Sequence, residues 1–390
     1  MISRSLAVQC ITKMTGSQAY TMQTASFSSL DSQDIINEKR GSKRIVTLNR
    51  PNALNALNLN MVRQLYPLFK EWNNSSEVSI VIIKGAGGKS FCSGGDVISV
   101  TDSGRDALAG GSATVHKDFF REEFHLNYLI GTLRKPYVAL IDGITMGGGC
   151  GISILGRFRV ATERTILSLP EAALGFFPDV GCGYFLPRIN DNLGMFLALT
   201  TFRLHGVDAF HSGLATHYVN SSNLPKLEER LVSLENTDEK SVDDAIRQFQ
   251  PNSLPPFSLA DKLPIIKDAF QAKTVEDIIG KLEKEGSEWS KKQISTLLKM
   301  SPTSLKVTLS QMKQGREMSL AQVLTMEYRV SQRFFENNDL YEGCRAILID
   351  KDRNPKWKPA TLSEVSNAKV ESYFQPLPQE LGLREETCMI

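Results

Sequence analysis

No two of the six cysteines, Cys10, Cys92, Cys150, Cys182, Cys344 and Cys388, stand at the C-x-x-C spacing of a zinc ribbon or a redox site. Six thiols scattered over 390 residues also make a poor disulfide framework, so the pattern suits a reducing compartment. Cys388 lies third from the end, one place off a prenylation box. Histidine is scarce as well. His116, His125, His205, His211 and His217 form no H-E-x-x-H, and no bound metal is expected. Neither sign of charge is in excess: 45 Lys and Arg against 43 Asp and Glu leave +2, which gives no support for a nucleic-acid surface. The uncharged stretch 143–156 is too short and too rich in glycine to span a membrane.

Acidic residues are missing from the first thirty positions, which carry Arg4, Lys13 and many Ser and Thr. That composition predicts a mitochondrial targeting leader over 1–30, removed from fold reasoning, and hence a matrix location. From about 43 to 220 the chain repeats a plan of apolar strand, glycine-rich loop and helix, the mark of an α/β domain. Strands are expected at Arg44–Leu48, Ile80–Ile83 and Tyr137–Ile141, with two more in FRVATERTILSLP. An amphipathic helix is expected through Met61, Leu65, Leu68, Phe69 and Trp72, bent or made irregular by Pro67. From about Leu224 to Asp350 the pattern turns mostly helical, with SLENTDEKSVDD and QPNSLPPFS as connectors. The expected layout is therefore leader 1–30, α/β core 35–222, helical C-terminal part 223–365 and tail 366–390.

Several familiar sites fail on inspection. IKGAGGKS is not a P-loop, since Ile83 stands where its first glycine belongs, and Ser90 spoils G-x-G-x-x-G. No G-x-S-x-G elbow is present. Two glycine turns remain, CSGGD at Cys92–Asp96 and MGGGCG at Met146–Gly151, each expected between a strand and a helix. Backbone N–H groups at such helix starts are unpaired, and two turns facing one point would make an oxyanion hole. Ordinary tight turns explain the same glycines. Two carboxylates lie close by in apolar surroundings, Glu171 after Pro170 and Asp179 after Pro178. Burial beside one another would raise the pKa of such a pair and suit it to acid, base or nucleophile work. Each also has a plainer reading, Glu171 as a charge at a helix start and Asp179 as an N-cap.

The segments IVIIKGAGGKSFCSGGD (80–96), RPNALNAL (50–57), GITMGGGCGISI (143–154) and LPEAALGFFPDVGCGYFL (169–186) resemble the crotonase, or enoyl-CoA hydratase/isomerase, superfamily. The likeness covers roughly residues 35–355. FFREEFHLN (119–127), KMSPTSLKVTL (299–309) and AILIDKDRNPKW (346–357) bring the chain closer to its thioester-hydrolysing branch. The resemblance implies a spiral of β-β-α turns capped by helices, assembled as trimers or larger homo-oligomers. It places oxyanion donors on the amides of Ser93 and Gly148, makes Glu171 the main catalytic carboxylate with Asp179 its partner, and puts Glu123 in the substrate pocket. Asn55, Ala56 and Leu57 would line the adenine end of coenzyme A. One departure bears on the reaction: many hydratases carry a glutamate where this chain has Gly151, and glycine where it has Asp179. The implied reaction is hydrolysis of 3-hydroxyisobutyryl-CoA, and of 3-hydroxypropionyl-CoA, in valine breakdown. It needs no cofactor beyond the coenzyme A of the substrate. An enoyl-CoA hydratase or isomerase, or a non-catalytic crotonase-like subunit of a mitochondrial assembly, are the alternatives.

Overall fold

The computed structural model describes residues 33–383, so the proposed leader and Cys388 lie outside the described residues. Among the described residues ten strands form two sheets: β1 Ile35–Arg40, β2 Lys43–Leu48, β3 Ile80–Gly85, β4 Ser90–Cys92, β5 Tyr137–Ile141, β6 Ile144–Met146, β7 Phe158–Ala161, β8 Ile166–Ser168, β9 Leu204–His205 and β10 His217–Tyr218. The larger sheet runs β1-β2-β3-β5-β7-β10 and is parallel except for the β1–β2 hairpin. The smaller runs β4-β6-β8-β9. Each turn of chain places one strand in each sheet, β3 then β4, β5 then β6, β7 then β8, before a helix carries it on. This is the β-β-α spiral that the resemblance implied.

The strands that sequence periodicity makes visible are the long apolar ones, and the reason lies in what covers them. Parallel strands buried on both faces read as continuous Val and Ile. In β3, Ile80 and Ile82 face one core and Val81 and Ile83 the other. The first core is closed by the helices Leu224–Val232 and Glu239–Arg247 through Leu227, Leu231, Val242 and Ile246. Half of the supposed connector SLENTDEKSVDD is thus helix. Asp238 caps it by accepting from Ser241 N–H at 2.7 Å, and Val242, Ala245 and Ile246 repeat at helical spacing. QPNSLPPFS does form a connection without regular structure.

Helix α1, Leu59–Asn74, starts where the Asn58 side chain accepts from Met61 N–H at 2.8 Å, and buries Met61, Val62, Leu65, Phe69 and Trp72. It runs unbroken through Pro67, which lies exposed on the outer face; Leu68 is only half-buried. Helix α2, Val97–Leu108, and helix α3, Val115–Gly131, follow the first glycine turn, and helix α4, Gly148–Ile154, follows the second. The C-terminal helices pack against this core as part of one compact unit beginning at Gln33. Thr274, Ser287, Ser301 and Ser319 each cap one of them with a side-chain oxygen. Within the expected tail, the described residues form the helix Asn367–Ser372 and bury Val370, Tyr373 and Leu381. None of the helices among the described residues is long and apolar enough to cross a membrane.

Leu231→Ala should cost about 2–5 kcal/mol of stability, because a fully buried leucine sealing the sheet leaves a cavity. Urea unfolding checks this, and an unchanged midpoint would remove that helix from the core.

Candidate active site

Five segments of the chain bring their functional groups to one cavity. Glu123 comes from α3, and Ser93, Gly94 and Gly95 from the turn between β4 and α2. Gly147 and Gly148 come from the turn between β6 and α4, and Glu171 from the short 3-10 turn Glu171–Leu174. Asp179 comes from the loop ahead of helix α5, Cys182–Phe185. Around the carboxyls the wall is aromatic. Phe120 and Phe335 line it with their rings 5.7 Å apart, and Phe176 lies 5.5 Å from Phe120.

The glycine turns bring backbone and carboxyl together. Gly147 has φ +47°, ψ −119°, a region glycine alone takes readily, and a Cβ there would lie 3.0 Å from Glu171 Oε1. A Cβ on Gly148 would lie 2.7 Å from Glu123 Oε1. Gly148 is the first residue of α4, so its N–H has no partner within the helix. The other expected oxyanion donor is engaged: Ser93 N–H donates to Leu54 O at 3.1 Å. An acyl oxygen at the turn would compete with that carbonyl.

Glu123, Glu171 and Asp179 are 1%, 6% and 5% exposed, and none of them makes an ion pair among the described residues. Glu171 Oε2 and Glu123 Oε1 also lack a hydrogen-bond partner there. Burial, then the Asp179 charge, pushes Glu171 well above the usual carboxylate range. Burial, then Asp179 and Glu171, does the same to Glu123. Burial lifts Asp179 to about 7. Neither plainer reading accounts for these side chains: Gly181, not Asp179, caps α5, and Glu171 opens only a four-residue 3-10 turn.

Asn55, Ala56 and Leu57 do not line this cavity. Asn55 is fully buried and donates to Ala86 O at 2.9 Å and Ser90 O at 2.8 Å while accepting from Arg50 N–H. Leu57 N–H donates to Gly94 O, and Leu57 O accepts from Asp96 N–H, both at 2.8 Å. The segment braces the first glycine turn. The position of Gly151 is crowded: a Cβ there would meet Val180 Cβ at 2.6 Å and Asn127 Nδ2 at 2.8 Å. Cys92, Cys150, Cys182 and Cys344 are buried free thiols.

Sequence reading missed what the C-terminal helices supply. The helix Leu320–Phe334 lays Phe334 flat on Phe177, ring centroids 5.5 Å apart, and buries Glu327 beneath the Asp179 loop. The signal was present, since Glu327 falls on the helix's apolar stripe with Leu320, Val323, Leu324 and Phe334.

A profile described as Enoyl-CoA hydratase/isomerase matches residues 43–374. The chain belongs to the enoyl-CoA hydratase/isomerase family. Among its members the chain is 52% identical over 345 residues to the mitochondrial 3-hydroxyisobutyryl-CoA hydrolase of Xenopus laevis, covering 87% of this chain and 88% of that protein. It is 48% identical to the mitochondrial 3-hydroxyisobutyryl-CoA hydrolase of Homo sapiens, covering 88% and 89%. Among solved structures, a carnitinyl-CoA dehydratase from Mycobacterium thermoresistibile superposes with a TM-score of 0.83 at 35% identity, covering 91% of this chain and all of that one.

Asp179→Asn should stabilise the protein at high pH. A carboxyl whose folded pKa, about 7, exceeds its unfolded value contributes stability fully below the unfolded value and loses it as pH rises through 7. The Tm gained by the variant should therefore grow by a few degrees from pH 5 to pH 8. A gain that shrinks over that range would mean Asp179 is held as an anion by a partner.

Proposed function

We infer that the chain hydrolyses the thioester of 3-hydroxyisobutyryl-CoA in mitochondria, releasing 3-hydroxyisobutyrate and free coenzyme A, a step of valine breakdown. The observation that carries this is the convergence of Glu171, Asp179 and Glu123, buried with no counterion among the described residues, on a cavity that Gly148 enters with a helix-start N–H that has no partner within its helix. Hydrolases named for that substrate are about half identical to this chain over nearly its whole length.

The thioester oxygen would lie between the amides of Gly148 and Ser93, the latter exchanging Leu54 O for the substrate. One such donor is typically worth about 3 kcal/mol in the transition state. Glu171, with Oε2 free of partners, would attack C1 to form a mixed anhydride or take a proton from the attacking water. Water supplies the oxygen of the acid product, and its second proton leaves on the coenzyme A thiol. Asp179 would orient Glu171 or the water, and together with Glu123 would hold the 3-hydroxyl. 3-Hydroxypropionyl-CoA presents the same hydroxyl and is a second substrate of this proposal. Asn55, Ala56 and Leu57, beside the first glycine turn, would border the coenzyme A arm. The reaction needs no further cofactor. Homo-oligomeric assembly is proposed with it, on the family resemblance.

Enoyl hydration is the rival reading, given the dehydratase among the solved neighbours. Gly151 counts against it. Val180 and Asn127 fill the space that a longer side chain would need at that position.

Glu171→Gln should keep the fold and coenzyme A binding while lowering kcat by about 10³-fold or more, the scale on which enzymes depend on a nucleophile or base. Thiol release assayed with Ellman's reagent checks it, and turnover within a few-fold of wild type would remove Glu171 from the chemistry. Wild type should favour 3-hydroxyisobutyryl-CoA over isobutyryl-CoA by about 10²-fold in kcat/KM, because a buried acceptor built for a hydroxyl is stranded without it. Equal rates would make the protein a broader acyl-CoA thioesterase.

A further inference from the structure

Glu327 is a buried carboxylate that this chemistry leaves unused. It sits inside the Leu320–Phe334 helix at 0% exposure. Its Oε2 accepts from Gly181 N–H at 2.7 Å, and its Oε1 from Gly183 N–H and Gln311 Nε2, both at 2.8 Å. Gln311, on the Pro302–Gly315 helix, also donates to Pro178 O at 2.6 Å. The loop that carries Asp179 is therefore pinned immediately before that residue and again two and four residues after it. Between the pins Val180 has φ +52°, a conformation that β-branched residues rarely take unless their surroundings over-determine it.

A buried carboxylate is a poor way to fill a core, since an apolar side chain of similar volume would serve as well or better. Among the described residues, every side-chain hydrogen bond of Glu327 goes either to Gly181 and Gly183 or to the glutamine that holds the other end of the same loop. We propose that Glu327, acting through Gln311 and the amides of Gly181 and Gly183, is the positioning residue that fixes where the Asp179 carboxyl stands against Glu171 and the substrate. This rests on the hydrolase reading above.

The groups that face Asp179 are Glu171 from the 3-10 turn, Glu123 from α3, Glu327 from the C-terminal helix, and the thiols Cys150 from α4 and Cys182 from α5. No cation is among them, and burial keeps both thiols neutral. Burial first, and among lesser causes the Asp179 charge, raises Glu327 to about 8. Burial is what raises the Asp179 carboxyl, so loosening the loop that Glu327 pins lets water reach it, and it then ionises at lower pH.

The test uses the whole chain with 3-hydroxyisobutyryl-CoA and two variants. Glu327→Gln replaces one acceptor oxygen by an amide that faces N–H donors. It should lower kcat at least 30-fold with KM within threefold of wild type, and move the acid limb of kcat/KM to lower pH. Gln311→Leu frees Pro178 O and should lower kcat at least fivefold. In both, hydrogen–deuterium exchange of the peptide 176–185 should quicken at least tenfold. Variants that turn over within threefold of wild type with superimposable pH profiles would overturn the proposal. So would wild-type exchange in that peptide. Should Glu327→Gln fail to fold, Gln311→Leu decides by the same turnover and exchange readouts. A wild type that releases no thiol refutes the hydrolase reading, while the exchange measurement still decides whether the loop is pinned.

Discussion

Three carboxyl groups share one apolar cavity with no cation against them among the described residues, and the rest of the site is arranged around that fact. Like charges in a poorly solvated space cannot all ionise together, so the group holds protons at a pH where free carboxylates have lost them. Such a set can both take and give protons near neutrality, which hydrolysis of a thioester by water requires. The same repulsion works against folding. The molecule tolerates it because two large apolar cores and several side-chain-capped helices stabilise the frame elsewhere.

The fold delivers these groups with little waste. Each turn of the spiral leaves one sheet, enters the other and begins a helix, so the glycine turns after β4 and β6 fall side by side. Gly147 and Gly148 lack side chains where Glu171 and Glu123 need the room. The C-terminal helices are part of this site rather than an appendage. Phe334 stacks on Phe177, Phe335 lines the cavity, and Gln311 and Glu327 hold the loop of Asp179.

Much of this was legible in the residues. The strands β2, β3, β5, β7 and β8 announced themselves as short apolar runs ended by turn residues, and the two glycine clusters marked helix starts. The proximity of Glu171 and Asp179 followed from their spacing and apolar setting. Other features were hidden for physical reasons. Strand β1 alternates weakly, with mostly exposed residues in INEKR, so its pairing with β2 carries no hydrophobic signature. The engagement of Ser93 N–H by Leu54 O is a tertiary backbone bond that no side chain reports. The side-chain amide of Asn55 is committed to backbone groups of the first glycine turn, a bracing role that its place in RPNALNAL does not report. Glu327 contacts the Asp179 loop across more than 140 residues of chain, a separation that local pattern cannot bridge.

The account stands on buried carboxyls that titrate near neutrality in the course of thioester hydrolysis. Its most direct test is the pH dependence of coenzyme A release from 3-hydroxyisobutyryl-CoA by the wild-type protein, followed as kcat/KM from pH 5 to pH 9. The predicted profile has an acid limb with its midpoint near 7, where burial places Asp179. A profile flat down to pH 5, the behaviour of ordinary exposed carboxylates, would contradict it.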